Sequence, residues 1–454
     1  MVLSAQGSTS YAAALELSMR LAAGLRRSSL GRIGCLVTDQ ATLISLLAAA
    51  SATGCETCTY PPGLPEAGVD ELAAALHHTV VVTDRNVELT VARPLPVADL
   101  STPGGSGAGS WSGAGSWSGS GDDAAAAPLL VLTTGTTGRP KAARHDWSRL
   151  VAAARRHATQ PGERWLLGYN LNQFGGLQVM LHALVSGASL VVPRSNQPRD
   201  ALDAMLRHGV THASATPTFW RFIVALLDGG AVEGLQLRQI TLGGEAAPGR
   251  LLDDLRRLFP DVRISHVYAS TEFGSSVSVG DGRQGLPLGA LEPSANGEVQ
   301  LRIVDGQLEA RSSVGMFGYY GDPDIGTGEW RPTGDLVEVQ GDRIHFVGRA
   351  TDTINVGGVK VHPLPIEEAV SAVDGVQLAR VYGRPNAIAG QIVAVDVVAA
   401  PAYDPDALED AIRWACRSFP PAAQPRRVRF VDAVGLREHK IARGEIASGE
   451  IGRP

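Results

Sequence analysis

The stretch Leu129-Leu130-Val131-Leu132-Thr133-Thr134-Gly135-Thr136-Thr137-Gly138-Arg139-Pro140-Lys141 decides how the rest of the chain is read. A short apolar run, suited to a buried strand, passes directly into a loop of threonine and glycine that ends on a lysine. Glycines let backbone N–H groups turn towards an anion, the hydroxyls add donors, and Lys141 adds a point charge. A helix, residues 145–157, is expected shortly after the loop. The glycine spacing and the Pro140-Lys141 ending differ from the GxxxxGK[ST] phosphate loop, so that class is set aside. Taken alone, such a run also describes an ordinary turn.

Working outward, apolar helical stretches alternate with β-branched runs on both sides of the loop. Before it lie a helix over 11–30, a strand over 34–38, a helix over 41–52 and a strand over 79–83. After it come strands over 165–169 and 189–192 around a helix over 176–185. This alternation predicts an α/β fold with parallel, βα-layered sheets. Strands over 298–303 and 307–310 flank Asp305-Gly306, a hairpin-turn pair. Beyond Gly348, strands over 379–382 and 392–398 and helices over 366–373 and 406–418 are enough for a small second domain. The expected division is 1–348 and 349–454. Residues 102–127 are Gly/Ser/Ala-rich, with Gly107-Ala108-Gly109-Ser110-Trp111-Ser112 repeated at 113–118. Too few apolar groups are present there to offset ordering entropy, so a flexible loop is expected.

The chain has 454 residues and a net charge of −6 with both signs interspersed, which argues against a nucleic-acid binder relying on a basic surface. No apolar run reaches the roughly 18–20 residues that cross a bilayer, and Met1–Tyr11 lacks the pattern of a secretory signal. Cys55-Glu56-Thr57-Cys58 is a lone CxxC. Without a second ligand pair it reads as buried thiols in a strand, in a reducing cytoplasm, rather than as a zinc or redox site.

The loop string resembles the signature of the adenylate-forming superfamily: acyl- and aryl-CoA ligases, peptide-synthetase adenylation domains and luciferases. Further motifs occur in the family's order, so the resemblance covers nearly the whole chain. Its implied fold is a large N-terminal domain followed by a small, mobile α+β C-terminal domain. Thr133, Thr134, Gly135, Thr136, Thr137, Gly138 and Lys141 would cradle the phosphates of ATP. Gly243-Gly244-Glu245 resembles the adenine-contacting turn. Tyr268-Ala269-Ser270-Thr271-Glu272 resembles the YGxTE motif, in which the ring flanks adenine, Thr271 meets the α-phosphate and Glu272 helps hold Mg²⁺. The Asp335 of Thr333-Gly334-Asp335 would take the ribose hydroxyls. Arg349 would reach the nucleotide beside the hinge, where Thr351 replaces the usual first aspartate. Gly357-Gly358 would line the pantetheine path of coenzyme A.

His439-Lys440-Ile441-Ala442-Arg443 resembles the GKIxR motif and assigns Lys440 to the acyl phosphate. A competing alignment would put Glu445 there. The resemblance implies that a carboxylate attacks the α-phosphorus of ATP, and that a thiol then displaces AMP. Gln173, where many relatives carry histidine, joins Phe174, Phe219, Ala269 and Phe273 as candidate pocket residues. Together they point to an aryl or compact acid. The segment 212–218 resembles o-succinylbenzoate–CoA ligases. Three other functions stay open: loading of a carrier-protein phosphopantetheine, activation of nitrite towards an aromatic amine, and non-catalytic nucleotide binding.

Overall fold

The computed structural model describes residues 1–102, 128–133, 141–155, 162–195, 197–227, 232–293, 298–326, 328–400, 402–434, 436–437 and 440–441. The expected flexible loop therefore lies, but for Thr102, outside the described residues, as do residues 134–140 of the phosphate loop. Among the described residues, no helix is long and apolar enough to cross a membrane. The chain divides into two compact units: residues 1–163, 170–192 and 315–325, and residues 164–169, 193–314 and 326–454.

The first unit carries a seven-stranded sheet in the order Gly318–Tyr319, Lys141–Asp146, Pro128–Thr133, Glu56–Thr59, Arg32–Leu36, Val80–Thr83, Arg93–Pro96. From Pro128–Thr133 to Arg93–Pro96 neighbouring strands run parallel, as the βα alternation predicts. Helix Tyr11–Arg27 is capped by Ser10, which accepts from Ala13 N, and helix Gln40–Thr53 by Asp39, which accepts from Thr42 N. The phosphate loop joins two antiparallel strands, with Thr133 opposite Lys141, and the strand Lys141–Asp146 was not expected. The helix expected over 145–157 follows it as Trp147–Ala154, where Asp146 supplies the N-cap. Lys141-Ala142-Ala143-Arg144 has helix-forming residues, but a strand neighbour on each side outweighs that weak local preference.

All four cysteines are free and buried. Burial pushes the Cys55 and Cys416 thiols up to about 11, which keeps them protonated and unreactive. Among the described residues no group of three or more His, Cys, Asp or Glu could hold a metal ion. Cys58 lies within the strand Glu56–Thr59 and Cys55 directly before it, as expected of buried thiols in a strand.

Close by, the Tyr60 hydroxyl lies 2.7 Å from His78 Nδ1, with both residues 1 % exposed. Burial first, then Arg32 and His77, lowers the imidazole from 6.5 to about 4. Below pH 6.5 the unfolded chain gains a proton that the folded one refuses, so stability falls as pH drops from about 6.5 to about 4. The shift corresponds to about 3 kcal/mol in total. Urea unfolding of wild type and His78→Gln at pH 7 and 4.5 checks this. The wild type's advantage is expected to shrink at the lower pH, and an unchanged difference contradicts the burial argument.

In the second unit, strands Arg164–Leu167, His212–Ala215, Gln239–Gly243 and Arg263–Ser270 lie side by side in parallel, and Gly274–Val279 adds an antiparallel edge. A five-stranded antiparallel sheet follows, in the order Leu286–Pro287, Arg343–Arg349, Arg331–Gln340, Gln307–Ser312, Val299–Val304. Its Asp305-Gly306 turn has φ values of 51° and 75°, the double positive pair that a two-residue hairpin demands.

The last sheet uses only residues from 354 onward: Val359–Val361, Ile354–Val356, Gly390–Ala399, Val376–Asn386 and Arg427–Phe430. Val393, Val395 and Val397 are fully buried on one face, against Ile366, Val370, Leu408 and Ile412 of its helices. Asp396 points to the opposite face, where Arg429 donates to both carboxylate oxygens at 2.9 and 2.8 Å and Arg380 stands 3.3 Å away. This is a core independent of the preceding sheets, which is what a separate α+β domain requires.

Candidate functional site

In the second unit, residues far apart in sequence converge at strand ends. Strand Arg263–Ser270 bulges between Tyr268 and Ala269, and the turn through Thr271, Glu272 and Phe273 returns it to Gly274–Val279. Ser270 Oγ accepts from Phe273 N at 3.1 Å, and Ser276 Oγ donates to Tyr268 O at 2.8 Å, so local hydroxyls fix this turn. The Tyr268 hydroxyl then donates to Asp335 Oδ2 at 2.7 Å, and its ring packs on Phe346 with centroids 5.2 Å apart. Burial, with the Asp335 carboxylate second, holds the phenol well above its ordinary range.

Asp335 follows Gly334, whose φ of 84° makes the turn that aims it. Thr333 Oγ1 accepts from Asp335 N at 3.1 Å and donates to Leu308 O at 2.8 Å. Arg349 is the direct cross-strand partner of Asp335, with Nε 3.2 Å from Oδ1. Burial works to lower the Arg349 pKa, but Asp335, Glu272 and Asp352 outweigh it and the net shift is upward. Three motifs that the sequence spaces across 268–349 thus form one charged cluster: Tyr268 and Arg349 share Asp335, with Glu272 acting on the same guanidinium. An ionised carboxylate offers about four lone-pair positions, so two acceptor positions on Asp335 stay available to vicinal hydroxyls.

Glu272 adds one carboxylate to this cluster. Magnesium bound through nucleotide phosphates takes one or two protein carboxylates and fills its shell with phosphate and water oxygens. The donor set fits that mode and does not fit an all-protein metal cage.

The Gly243-Gly244-Glu245 turn ends strand Gln239–Gly243, with Gly244 at φ 83°. The Tyr169 hydroxyl donates to Gly243 O at 3.2 Å, and a Cβ on Gly243 would lie 3.2 Å from that same oxygen of Tyr169. Burial raises the Tyr169 phenol, offset in part by a Ser214 hydrogen bond and reinforced by the nearby Glu245 charge. Glu245 Oε2 accepts from Thr218 N at 3.0 Å, at the first turn of helix Pro217–Leu227. A carboxylate there satisfies an orphan N–H and meets the positive end of the helix dipole. The turn and the helix carrying Phe219 are therefore tied together. Replacing Glu245 with alanine is expected to cost about 1.5–3 kcal/mol, the worth of a hydrogen bond to a charged group. Denaturant unfolding checks it; a loss below about 0.5 kcal/mol contradicts the tie.

Tyr169 escaped the sequence reading although its position carried a signal. It lies just past a parallel strand's C-terminal end, where α/β sheets place ligand groups.

The candidate pocket residues are buried to different degrees and for different reasons. Phe219 is 2 % exposed and meets Trp220 edge-on with centroids 5.8 Å apart. Phe273 packs in the core cluster with Val279, Leu286 and Leu301. Ala269 is half-buried on the bulge beside Tyr268. In the first unit, Gln173 occupies the N-cap position of helix Phe174–Ser186 without a side-chain bond to the helix, and its Oε1 accepts from Asn170 N at 3.1 Å. Phe174 begins that helix, with its ring 5.5 Å from His145.

Also in the first unit, Thr133 and Lys141 form the pair that closes the phosphate loop, and Thr133 Oγ1 donates to Lys141 O at 3.4 Å. Thr134, Gly135, Thr136, Thr137 and Gly138 lie outside the described residues. Gly357 and Gly358 form the turn between Ile354–Val356 and Val359–Val361, at φ 59° and 89°. Asn355 Oδ1 accepts from Gly358 N at 2.9 Å, and a Cβ on either glycine would meet nothing within 4 Å. Backbone conformation is what requires both glycines there. Lys440 pairs with Arg437 in a two-stranded ladder, Leu436–Arg437 with Lys440–Ile441. His439 and Glu445 lie outside the described residues.

Comparison with known proteins bears on the family and the fold. The family model "AMP-binding enzyme" matches residues 1–316, and "AMP-binding enzyme C-terminal domain" matches residues 365–439. The chain is 32% identical over 252 residues to a 2-succinylbenzoate–CoA ligase from Salmonella typhimurium, a match covering 54% of this chain and 52% of that protein. It thus spans about half the length of that curated relative.

Two solved structures share the fold. One is an anthranilate CoA ligase in complex with anthranoyl-AMP, with TM-score 0.79, 18% identity, 97% of this chain and 92% of that one. The other is o-succinylbenzoate CoA synthetase from Bacillus subtilis with its acyl-adenylate, with TM-score 0.75, 19% identity, 98% of this chain and 96% of that one. Sequence motifs, sheet order and family models agree: the chain belongs to the AMP-binding enzyme family.

Proposed function

We propose that the chain is an AMP-forming acid–thiol ligase that converts an aryl or compact carboxylic acid to its coenzyme A thioester. The observation that supports it best is the Tyr268–Asp335–Arg349 cluster. Its free carboxylate positions suit ribose hydroxyls, and the Tyr268 ring is held by Phe346 as an edge for adenine.

In the first half-reaction a carboxylate oxygen attacks the α-phosphorus of ATP, and the bond to the bridging oxygen breaks to release pyrophosphate. Two anions approach each other, so preorganised cationic and N–H groups have to offset their repulsion. Lys141 and the loop amides take the pyrophosphate side, Thr271 and Lys440 the α-phosphate side, and Arg349 the nucleotide. Glu272 and the nucleotide phosphates would hold Mg²⁺, which supplies neutralisation of the polyphosphate. In the second half-reaction a thiolate attacks the acyl carbon of the mixed anhydride and AMP leaves. Gly357-Gly358 borders the thiol's path, and residues 349–454 turn as a body between the two steps.

Within the second unit, Phe219 and Ala269 border the acid. In the first unit the Gln173 oxygen is committed to Asn170 N, in keeping with an uncharged aryl or short acyl group rather than a second charge. The test is incubation with ATP, Mg²⁺, coenzyme A and a panel of aryl acids, with mass-spectrometric detection of thioesters. Equal amounts of AMP and acyl-CoA are expected for one acid class. Adenylate formation that coenzyme A never resolves, while a holo carrier protein does, would replace the acceptor in this proposal.

A further inference from the structure

Tyr319 belongs to none of the motifs above, yet its ring stands against the lysine that closes the phosphate loop. Lys141 Nζ lies 5.0 Å from the Tyr319 ring centroid, within the reach of a cation–π contact. Lys141 is exposed, and a lysine on a flexible four-carbon stem otherwise samples many rotamers.

The segment that carries Tyr319 is fixed from several directions. Strand Gly318–Tyr319 pairs antiparallel with Lys141–Asp146, with Tyr319 opposite Ala143. Phe317 N and Tyr320 N donate to Arg144 O and Ala142 O, each at 2.8 Å, on either side of it. The Arg144 guanidinium reaches Asp324 Oδ1 at 2.5 Å and Asp322 O at 3.1 Å. Gly318 has φ 153°, and a Cβ there would lie 2.8 Å from Pro323 O, so the segment folds tightly back on itself. The next residue is anchored too, since Arg32 donates to the Tyr320 hydroxyl at 2.7 Å. A ring held this firmly is a fixed electrostatic surface, not a passing neighbour.

We propose that Tyr319 is a positioning residue for Lys141, holding its ammonium at the mouth of the phosphate loop so that little rotamer freedom is lost when ATP binds. The inference rests on the assignment of Lys141 to the ATP phosphates. The face of the ring attracts the cation, and the strand pairing sets the height of the ring relative to Thr133 and Lys141, where the loop closes. The hydroxyl is not required for this role; the ring is.

The test uses full-length protein and two probes: the α,β-methylene analogue of ATP, and AMP, which lacks the β and γ phosphates. Calorimetric titration gives affinities for wild type, Tyr319→Leu, Tyr319→Phe, Lys141→Met and the Lys141→Met/Tyr319→Leu double variant. An exposed cation–π contact corresponds to a two- to fivefold change, so Tyr319→Leu is expected to weaken the ATP analogue by about that factor. AMP affinity stays level, phenylalanine retains the analogue's affinity, and the double variant binds no more weakly than Lys141→Met alone. Equal losses for AMP and the analogue, additive losses in the double variant, or no loss in Tyr319→Leu while Lys141→Met does lose affinity, would each overturn the proposal. If Lys141→Met itself leaves the analogue's affinity unchanged, the phosphate assignment of Lys141 falls, and this inference falls with it.

Discussion

Lys440→Ala is expected to slow acid-dependent ATP–pyrophosphate exchange by about 10²–10³-fold, the loss seen when one preorganised donor to a developing anion is removed. Attack of a carboxylate on a phosphate brings like charges together, so a cation at that point counts more in the transition state than in either bound substrate. The lysine sits on the strand pair Leu436–Arg437 and Lys440–Ile441, which gives the tail a defined backbone there. Thiolysis of a supplied acyl-adenylate does not need that charge and is expected to continue at the wild-type rate. Exchange that persists in the variant would favour the competing alignment with Glu445 and an altered first step. Loss of both half-reactions together would mean that Lys440 supports the fold and not the chemistry.

Asp335→Ala carries the second large effect. The carboxylate accepts from Tyr268 at 2.7 Å and faces Arg349 at 3.2 Å, and on the proposed function its remaining positions receive the ribose hydroxyls. Removing it takes away a charged, paired acceptor worth about 3 kcal/mol, or about a hundredfold in the KM for ATP. The specific signature is discrimination. Wild type is expected to prefer ATP strongly over 2′,3′-dideoxy-ATP, whereas the variant treats the two alike. A variant that still prefers ATP would place the ribose elsewhere.

Much of this was legible from residues alone, and the pattern of what was not is instructive. Asp305-Gly306 announced its hairpin because only a few residue types accept positive φ at two successive positions. Tyr268, Asp335 and Arg349 were legible through motif order, yet their sharing of one carboxylate was not. That depends on a cross-strand register and a bulge at Leu336/Val337 which no local pattern encodes. The strand Lys141–Asp146 escaped the sequence reading for the same reason. Residues 141–144 have no strong strand preference, and their conformation is decided by partners at 128–133 and 318–319. Tyr319 is the extreme case, joined to Lys141 from far along the chain. The CxxC was legible as strand with buried thiols because Glu56–Thr59 is an inner strand of its sheet and both cysteines are buried there.

The acid is the least encoded feature, since the aromatic character of Phe219 and Phe273 already answers to packing. Pocket shape emerges from several elements, and no single position reports it.

The central claim, that this chain adenylates a carboxylic acid, is tested most directly by ATP–pyrophosphate exchange across aryl, succinyl-aryl and fatty acids, with nitrite plus an arylamine as a further arm. The account predicts magnesium-dependent exchange that tracks one class of aryl or compact acid. Exchange with nitrite alone, or none with any acid, would contradict it.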